Sequence, residues 1–102
     1  MATSAEWHED YEKMSEETRN FSRAVKSVQE ELEAVDWYTQ RAEQTTDKEL
    51  QKVLIHNRNE EVEHAIMGLE WLRRNSEIFN KHMKTYLFTE GDLLEVEKKA
   101  ED

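Results

Sequence analysis

The sequence predicts an all-α fold: an antiparallel two-helix hairpin plus a short C-terminal helix, with dimerisation completing a four-helix bundle. Three observations predict it. Helix breakers are nearly absent, with no proline and only Gly68 and Gly91 among 102 residues. Two long stretches carry apolar residues at helical spacing, separated by a short polar turn. The chain is also too charged to enclose a core of its own, with 37% charged residues against 36% hydrophobic. A domain of this size buries only about 60–70% of its unfolded surface, so part of the burial is expected between subunits.

Residues 1–14 read as a mobile N-terminal lead-in, 15–91 as the helical hairpin domain and 92–102 as a charged C-terminal tail. Ser15, followed by Glu16 and Glu17, places a capping hydroxyl and first-turn acids at a helix start. Phe21, Val25, Val28, Leu32 and Val35 then recur at helical steps and form one apolar stripe. Gln44-Thr45-Thr46-Asp47 ends the pattern. Thr46 followed by Glu49 has capping-box spacing, so a second helix is expected to begin there. Leu50, Val53 and Leu54 open its apolar face, and Met67, Trp71 and Leu72 close it. Arg73 and Arg74 suit the last turn, where free carbonyls favour cations. A shorter third helix is expected from about Ser76, carrying Ile78, Phe79, Met83 and Leu87, with Thr89-Glu90-Gly91 as its stop. Two long helices joined by a short turn pack antiparallel. Such a hairpin cannot cover its own apolar faces, and a second copy is the simplest partner.

The formal net charge is −10, from 24 acidic and 14 basic residues. Nucleic acid is a poor partner for that surface, whereas cations are concentrated by it. Solubility alone also accounts for an acidic chain. With no cysteine there is neither a disulfide framework nor a thiolate metal site, which fits a reducing compartment. No apolar run approaches the roughly 18 residues that span a bilayer, and MATSAEWHED lacks the basic start and apolar stretch of a signal peptide. A cytoplasmic location with no membrane partner is expected.

Three polar residues stand on the apolar face of the second helix. At about 100° per residue, Asn57, Glu61 and His64 fall level with Leu50, Leu54, Gly68 and Leu72. Burying an unpaired carboxylate costs several kcal/mol or shifts its pKa, so Glu61 needs a compensating partner, and a metal cation is one. Glu61-Val62-Glu63-His64 is an E-x-x-H run whose ends lie on adjacent turns. One ion can therefore take a carboxylate oxygen and an imidazole nitrogen together. Di-iron carboxylate bundles use this motif with one glutamate from a neighbouring helix, and such donors hold both ferrous and ferric iron. Glu31 borders the stripe of the first helix and leans into the same space. Tyr38, two turns on along that face, is placed to hydrogen-bond a ligand or pack over the site. The competing readings are a solvated pair, or a buried His–Glu hydrogen bond that only fixes helix pairing. A complete centre needs two E-x-x-H motifs and two further glutamates. One chain supplies one of each, so a two-fold axis through the metal pair is expected.

Glu30, Glu33 and Trp37 form a patch opposite the first stripe. A second subunit contact would explain the tryptophan, and the two glutamates would attract a cation on its way in. An ordinary acidic face with one stray tryptophan is the alternative. His56, Glu60 and Glu63 cluster beside the second stripe, as a secondary cation site or, by residue pattern alone, a charged flank. His8 and His82 read as surface residues, and Trp7 and Trp71 as packing.

EELEAVDWY from Glu30, HNRNEEVEH from His56, LEWLRRN from Leu69 and YLFTEG from Tyr86 together resemble the encapsulated ferritin family, over residues 15 to 91. The resemblance implies a ferritin-like four-helix bundle completed by dimerisation, in a decameric ring built as a pentamer of dimers. It implies a ferroxidase that oxidises iron with dioxygen at a di-iron site on the dimer axis. The ring is cargo of an encapsulin shell, which stores the mineral inside an encapsulin nanocompartment. Glu31, Glu61 and His64 match the ferroxidase ligands, with Tyr38 close by. Glu30 and Glu33 match a site where metal enters, beside Trp37. His56, Glu60 and Glu63 match a peripheral cation site, where calcium is the candidate ion. Family members usually carry an apolar, glycine-containing C-terminal peptide that docks inside the shell, and GDLLEVEKKAED departs from that pattern. A non-catalytic helical adaptor and a metal carrier are the alternative functions.

Overall fold

The computed structural model describes residues 7–101. Four helices follow in order: α1 (Glu16–Gln44), α2 (Lys48–Asn75), α3 (Glu77–Tyr86) and α4 (Leu93–Glu101), preceded by a 3-10 turn at Tyr11–Lys13. No strand occurs among the described residues. The all-α prediction holds, and α1 packs chiefly on α2, α2 on α3 and α3 on α4.

Local chemistry sets each boundary. The Ser15 hydroxyl accepts the Thr18 N–H at 3.1 Å and starts α1. The link to α2 is only residues 45–47. Its capping residue is Asp47 rather than Thr46. The Asp47 carboxylate accepts the Leu50 N–H at 2.9 Å, while Thr45 Oγ1 accepts the Asp47 N–H at 3.2 Å. A carboxylate satisfies a free N–H and also meets the positive end of the helix dipole. Ser76 serves twice, ending α2 and capping α3 with φ −145° and its hydroxyl accepting from the Phe79 N–H at 3.3 Å. The short third helix thus starts where the sequence placed it.

Gly68 sits where α1 and α2 come closest. A Cβ there would stand 2.6 Å from Val28 Cγ2. The buried residues Val28, Ala42, Ala65 and Leu72 line this seam, and three of the four are small or β-branched. α3 returns toward α1, with the rings of Phe21 and Phe79 6.1 Å apart. Arg73 ties the α2–α3 corner together. It donates to Asn80 Oδ1 at 2.8 Å and to both oxygens of Glu70 at 2.7 Å. With Arg74 also donating at 2.7 Å, the two guanidiniums pull the Glu70 carboxyl down to about 2.

The two ends carry more structure than the composition suggests. Residues 7–14, part of the expected lead-in, fold back on α1. Trp7 stacks edge-on against Tyr11 at 5.1 Å, and the Arg19 guanidinium lies 3.9 Å over the Tyr11 ring while donating to its carbonyl. Residues 1–6 of that lead-in lie outside the described residues. The charged tail forms α4, and burial together with Glu97 and Glu101 pushes the Tyr86 phenol up. Between α3 and α4, Phe88 holds φ 63° and Gly91 φ 92°.

This chain encloses almost nothing by itself. Its radius of gyration is 17.7 Å, against about 13 Å for a compact domain of this length. It exposes 8569 Å², where a compact monomer of this mass exposes about 6,100 Å². Leu32, Leu50, Val53, Ile66 and Met67 all remain exposed along the hairpin.

Candidate metal centre

Glu31 projects from α1 at the seam with α2. Its side-chain Oε2 is buried and has no hydrogen-bond partner. That oxygen lies 4.0 Å from where a Gly68 Cβ would stand, so it reaches the α2 surface itself. On α2, His64 is one turn before Gly68 and Glu61 two turns before it, about 6 and 10 Å along the axis. The absence of a side chain at Gly68 makes room for Val28, while the carboxylate stands beside it at ordinary contact distance. Glu31 would be an unstable feature of a finished core, because a buried acceptor without a donor forfeits its hydration.

Glu61 is partly buried at 28% side-chain exposure, while His64 is more open at 47%. Their closest approach is 4.0 Å between His64 Nδ1 and Glu61 Oε2. That exceeds hydrogen-bond distance, so the His–Glu bond of the purely structural reading is not made in this chain. Both side chains present free donor atoms on the same face.

Tyr38 is half-buried two turns beyond Glu31, with the Arg41 guanidinium 5.5 Å from its ring centre. Glu30, Glu33 and Trp37 are exposed on α1. On α2, His56 Nε2 lies 3.6 Å from Glu60 Oε1.

The structure also makes a grouping that the sequence reading did not. One donor atom each from Glu60, Glu63 and His64 lie within 4.8 Å of one another, and all three residues are exposed. The signal was present as spacing, since 60, 63 and 64 stand at i, i+3 and i+4. Assigning His64 to Glu61 alone hid it. His64 therefore stands at the junction of two acidic sets, one facing the seam and one facing out. The donors are carboxylate oxygens and imidazole nitrogen throughout, a set that fits a divalent first-row ion such as iron.

Comparisons with known proteins bear on the same segment. The sequence model of the family described as EncFtn-like matches residues 6–90. The "Encapsulated ferritin-like protein" of Rhodospirillum rubrum is 58% identical over 90 residues, covering 88% of this chain and 64% of that protein. The "Ferritin-like protein" of Thermotoga maritima is 46% identical over 95 residues, covering 93% and 83%. The crystal structure of a Nitrosomonas europaea protein, 50% identical, superposes with a TM-score of 0.83 over 85% of this chain and 96% of that one. The chain thus spans just under two thirds of the Rhodospirillum relative.

Proposed function

The chain belongs to the EncFtn-like family, and on that premise we propose that it is a ferroxidase whose centre is shared by two copies across a two-fold axis. The observation that carries the proposal is the buried, unpartnered oxygen of Glu31 at the α1–α2 seam. A divalent cation is the partner that turns this liability into an attraction. Glu31, Glu61 and His64 from each copy then hold two ferrous ions, the substrate.

Each residue type has a task. Glu31 and Glu61 bring negative charge, which favours the more highly charged ferric product over the ferrous substrate. His64 supplies a nitrogen donor on the turn next to Glu61. The two ferrous ions of the substrate would each give up one electron, and one dioxygen would take the pair with two protons from solvent and leave as hydrogen peroxide. Tyr38 packs beside the ligand set. Glu30, Glu33 and Trp37 gather cations at a second contact between copies. His56, Glu60 and Glu63 form a peripheral cation site suited to calcium. The name of the Rhodospirillum relative supports an encapsulin shell as partner. The proposed setting is then cytoplasmic, with a decameric ring inside an encapsulin nanocompartment.

A second reading, reversible metal carriage without turnover, draws on the exposed Glu60–Glu63–His64 group. The two separate on one experiment. Protein is loaded with ferrous iron without oxygen, air is mixed in, and absorbance of ferric product is followed. Glu31→Ala, Glu61→Ala and His64→Ala are each expected to slow the initial rate by at least the roughly 10–100-fold seen for loss of outer metal-site partners. Wild-type oxidation no faster than in buffer would leave only the carrier, and variants as fast as wild type would refute the assigned ligands.

A further inference from the structure

Met67 stands apart from the other described methionines. It is 64% exposed, whereas Met14 and Met83 are half-buried. Methionine is ordinarily a flexible filler of apolar cores, and this one is left largely open by its own chain. The chain has no cysteine, so a methionine thioether is the only kind of sulfur it offers to an oxidant.

The neighbours of Met67 are residues that the metal chemistry uses. On α2, His64 lies three residues before it and Glu63 four before it, so both adjoin it on the preceding turn. Glu60 lies seven before it, one turn further along the same strip. Long side chains on a helix lean back over the turn that precedes them, which carries the Met67 thioether toward Glu63 and His64. These are two of the three residues whose donor atoms lie within 4.8 Å of one another. His64 also stands beside Glu61, its Nδ1 4.0 Å from Glu61 Oε2. An oxidant released from this region meets Met67 before either of the other two sulfurs.

We propose that Met67 is a modification site, at which hydrogen peroxide leaving the metal centre is captured as methionine sulfoxide. The inference rests on the ferroxidase reading, which supplies the peroxide. The Met67 sulfur lone pair attacks one peroxide oxygen. An S–O bond forms and the O–O bond breaks. The second oxygen takes the proton of the transferred hydroxyl and leaves as water. Sulfur loses two electrons and the peroxide gains them. The product is polar and is reversible by sulfoxide reductases, so the change marks the open face of α2 without destroying the chain.

Peptide mapping under turnover tests the site. Wild-type protein is loaded with ferrous iron without oxygen and mixed with air in the presence of catalase, which destroys peroxide that reaches bulk solution. Ferric absorbance is followed in the same sample. After digestion, mass spectrometry compares the gain of one oxygen atom at Met14, Met67 and Met83. A parallel iron-free sample receives reagent hydrogen peroxide, which sets the ratio due to exposure alone. The Met67-to-Met83 ratio is expected to be several-fold higher under turnover than with the reagent. In Glu61→Ala, oxidation of Met67 under turnover is expected to be lost while the reagent still modifies it. Fast iron oxidation with equal ratios in the two arms overturns this proposal and leaves the ferroxidase reading standing. Undiminished Met67 oxidation in a Glu61→Ala protein that no longer oxidises iron overturns it as well. Wild-type iron oxidation no faster than in buffer overturns both.

Discussion

Gly68 looks like a defect when met as a letter in a helix, since glycine is about 1 kcal/mol worse than alanine there. Its place in the seam reverses that judgement. Gly68→Ala would set a methyl group 2.6 Å from Val28 Cγ2, and valine in a helix has essentially one rotamer to offer. The helices must part, which typically costs about 1–3 kcal/mol. We expect the melting temperature to drop by several degrees, at about 4–8 °C per kcal/mol for a small domain, and ferrous binding at the seam to weaken. Circular dichroism melts and anaerobic iron titration check both. The position of Glu31 was legible in advance, because it borders a stripe of period 3.6. The role of Gly68 was not, because it depends on which residue of the other helix arrives opposite. The link of His64 to Glu60 and Glu63 was legible in principle, yet concealed by a stronger motif overlapping it.

At the scale of elements, capping chemistry decided the boundaries, and near-equivalent candidates are where sequence reasoning slipped. Thr46 and Asp47 are adjacent and both suit an N-cap, but only Asp47 bonds the Leu50 N–H. Asp47→Ala is expected to cost about 1 kcal/mol, and Thr46→Ala close to nothing, in denaturant unfolding. The α2–α3 corner gives a pH prediction. The folded Glu70 carboxyl sits at about 2, below its ordinary 4.5. A depressed acid contributes stability that is complete above the unfolded value and is lost as pH falls toward the folded one. The difference in melting temperature between wild type and Glu70→Gln should therefore be full at pH 5 and shrink toward zero by pH 2. A pH-independent difference would mean that Glu70 acts through packing instead. The hairpin was readable because its stripes are long. α4 was not, because a nine-residue charged segment is too short for a clear stripe, and its packing on α3 is a tertiary contact.

The whole molecule is an extended hairpin whose apolar faces remain largely open. Composition announced this, with charged residues as numerous as hydrophobic ones, and among the described residues only Val28, Ala42, Ala65 and Leu72 are buried. What composition does not convey is where the openness lies. It is concentrated along the hairpin and at the α3–α4 end, so a folded chain offers distinct surfaces rather than one diffuse apolar skin. The lead-in behaves similarly. Arg19 and Tyr11 sit eight residues apart, and their cation–π contact crosses a helix start that no periodicity spans.

One E-x-x-H motif and one further glutamate per chain also have a statistical consequence. If each centre draws on two chains, its survival follows the square of the fraction of intact subunits. Co-refolding wild type with an equal amount of Glu61→Ala should leave about a quarter of the fully formed centres rather than half, provided the subunits pair at random. A linear dependence of iron oxidation on the mixing ratio would mean that each chain works alone. In a cell carrying both alleles, a defective copy would then silence more than its own share.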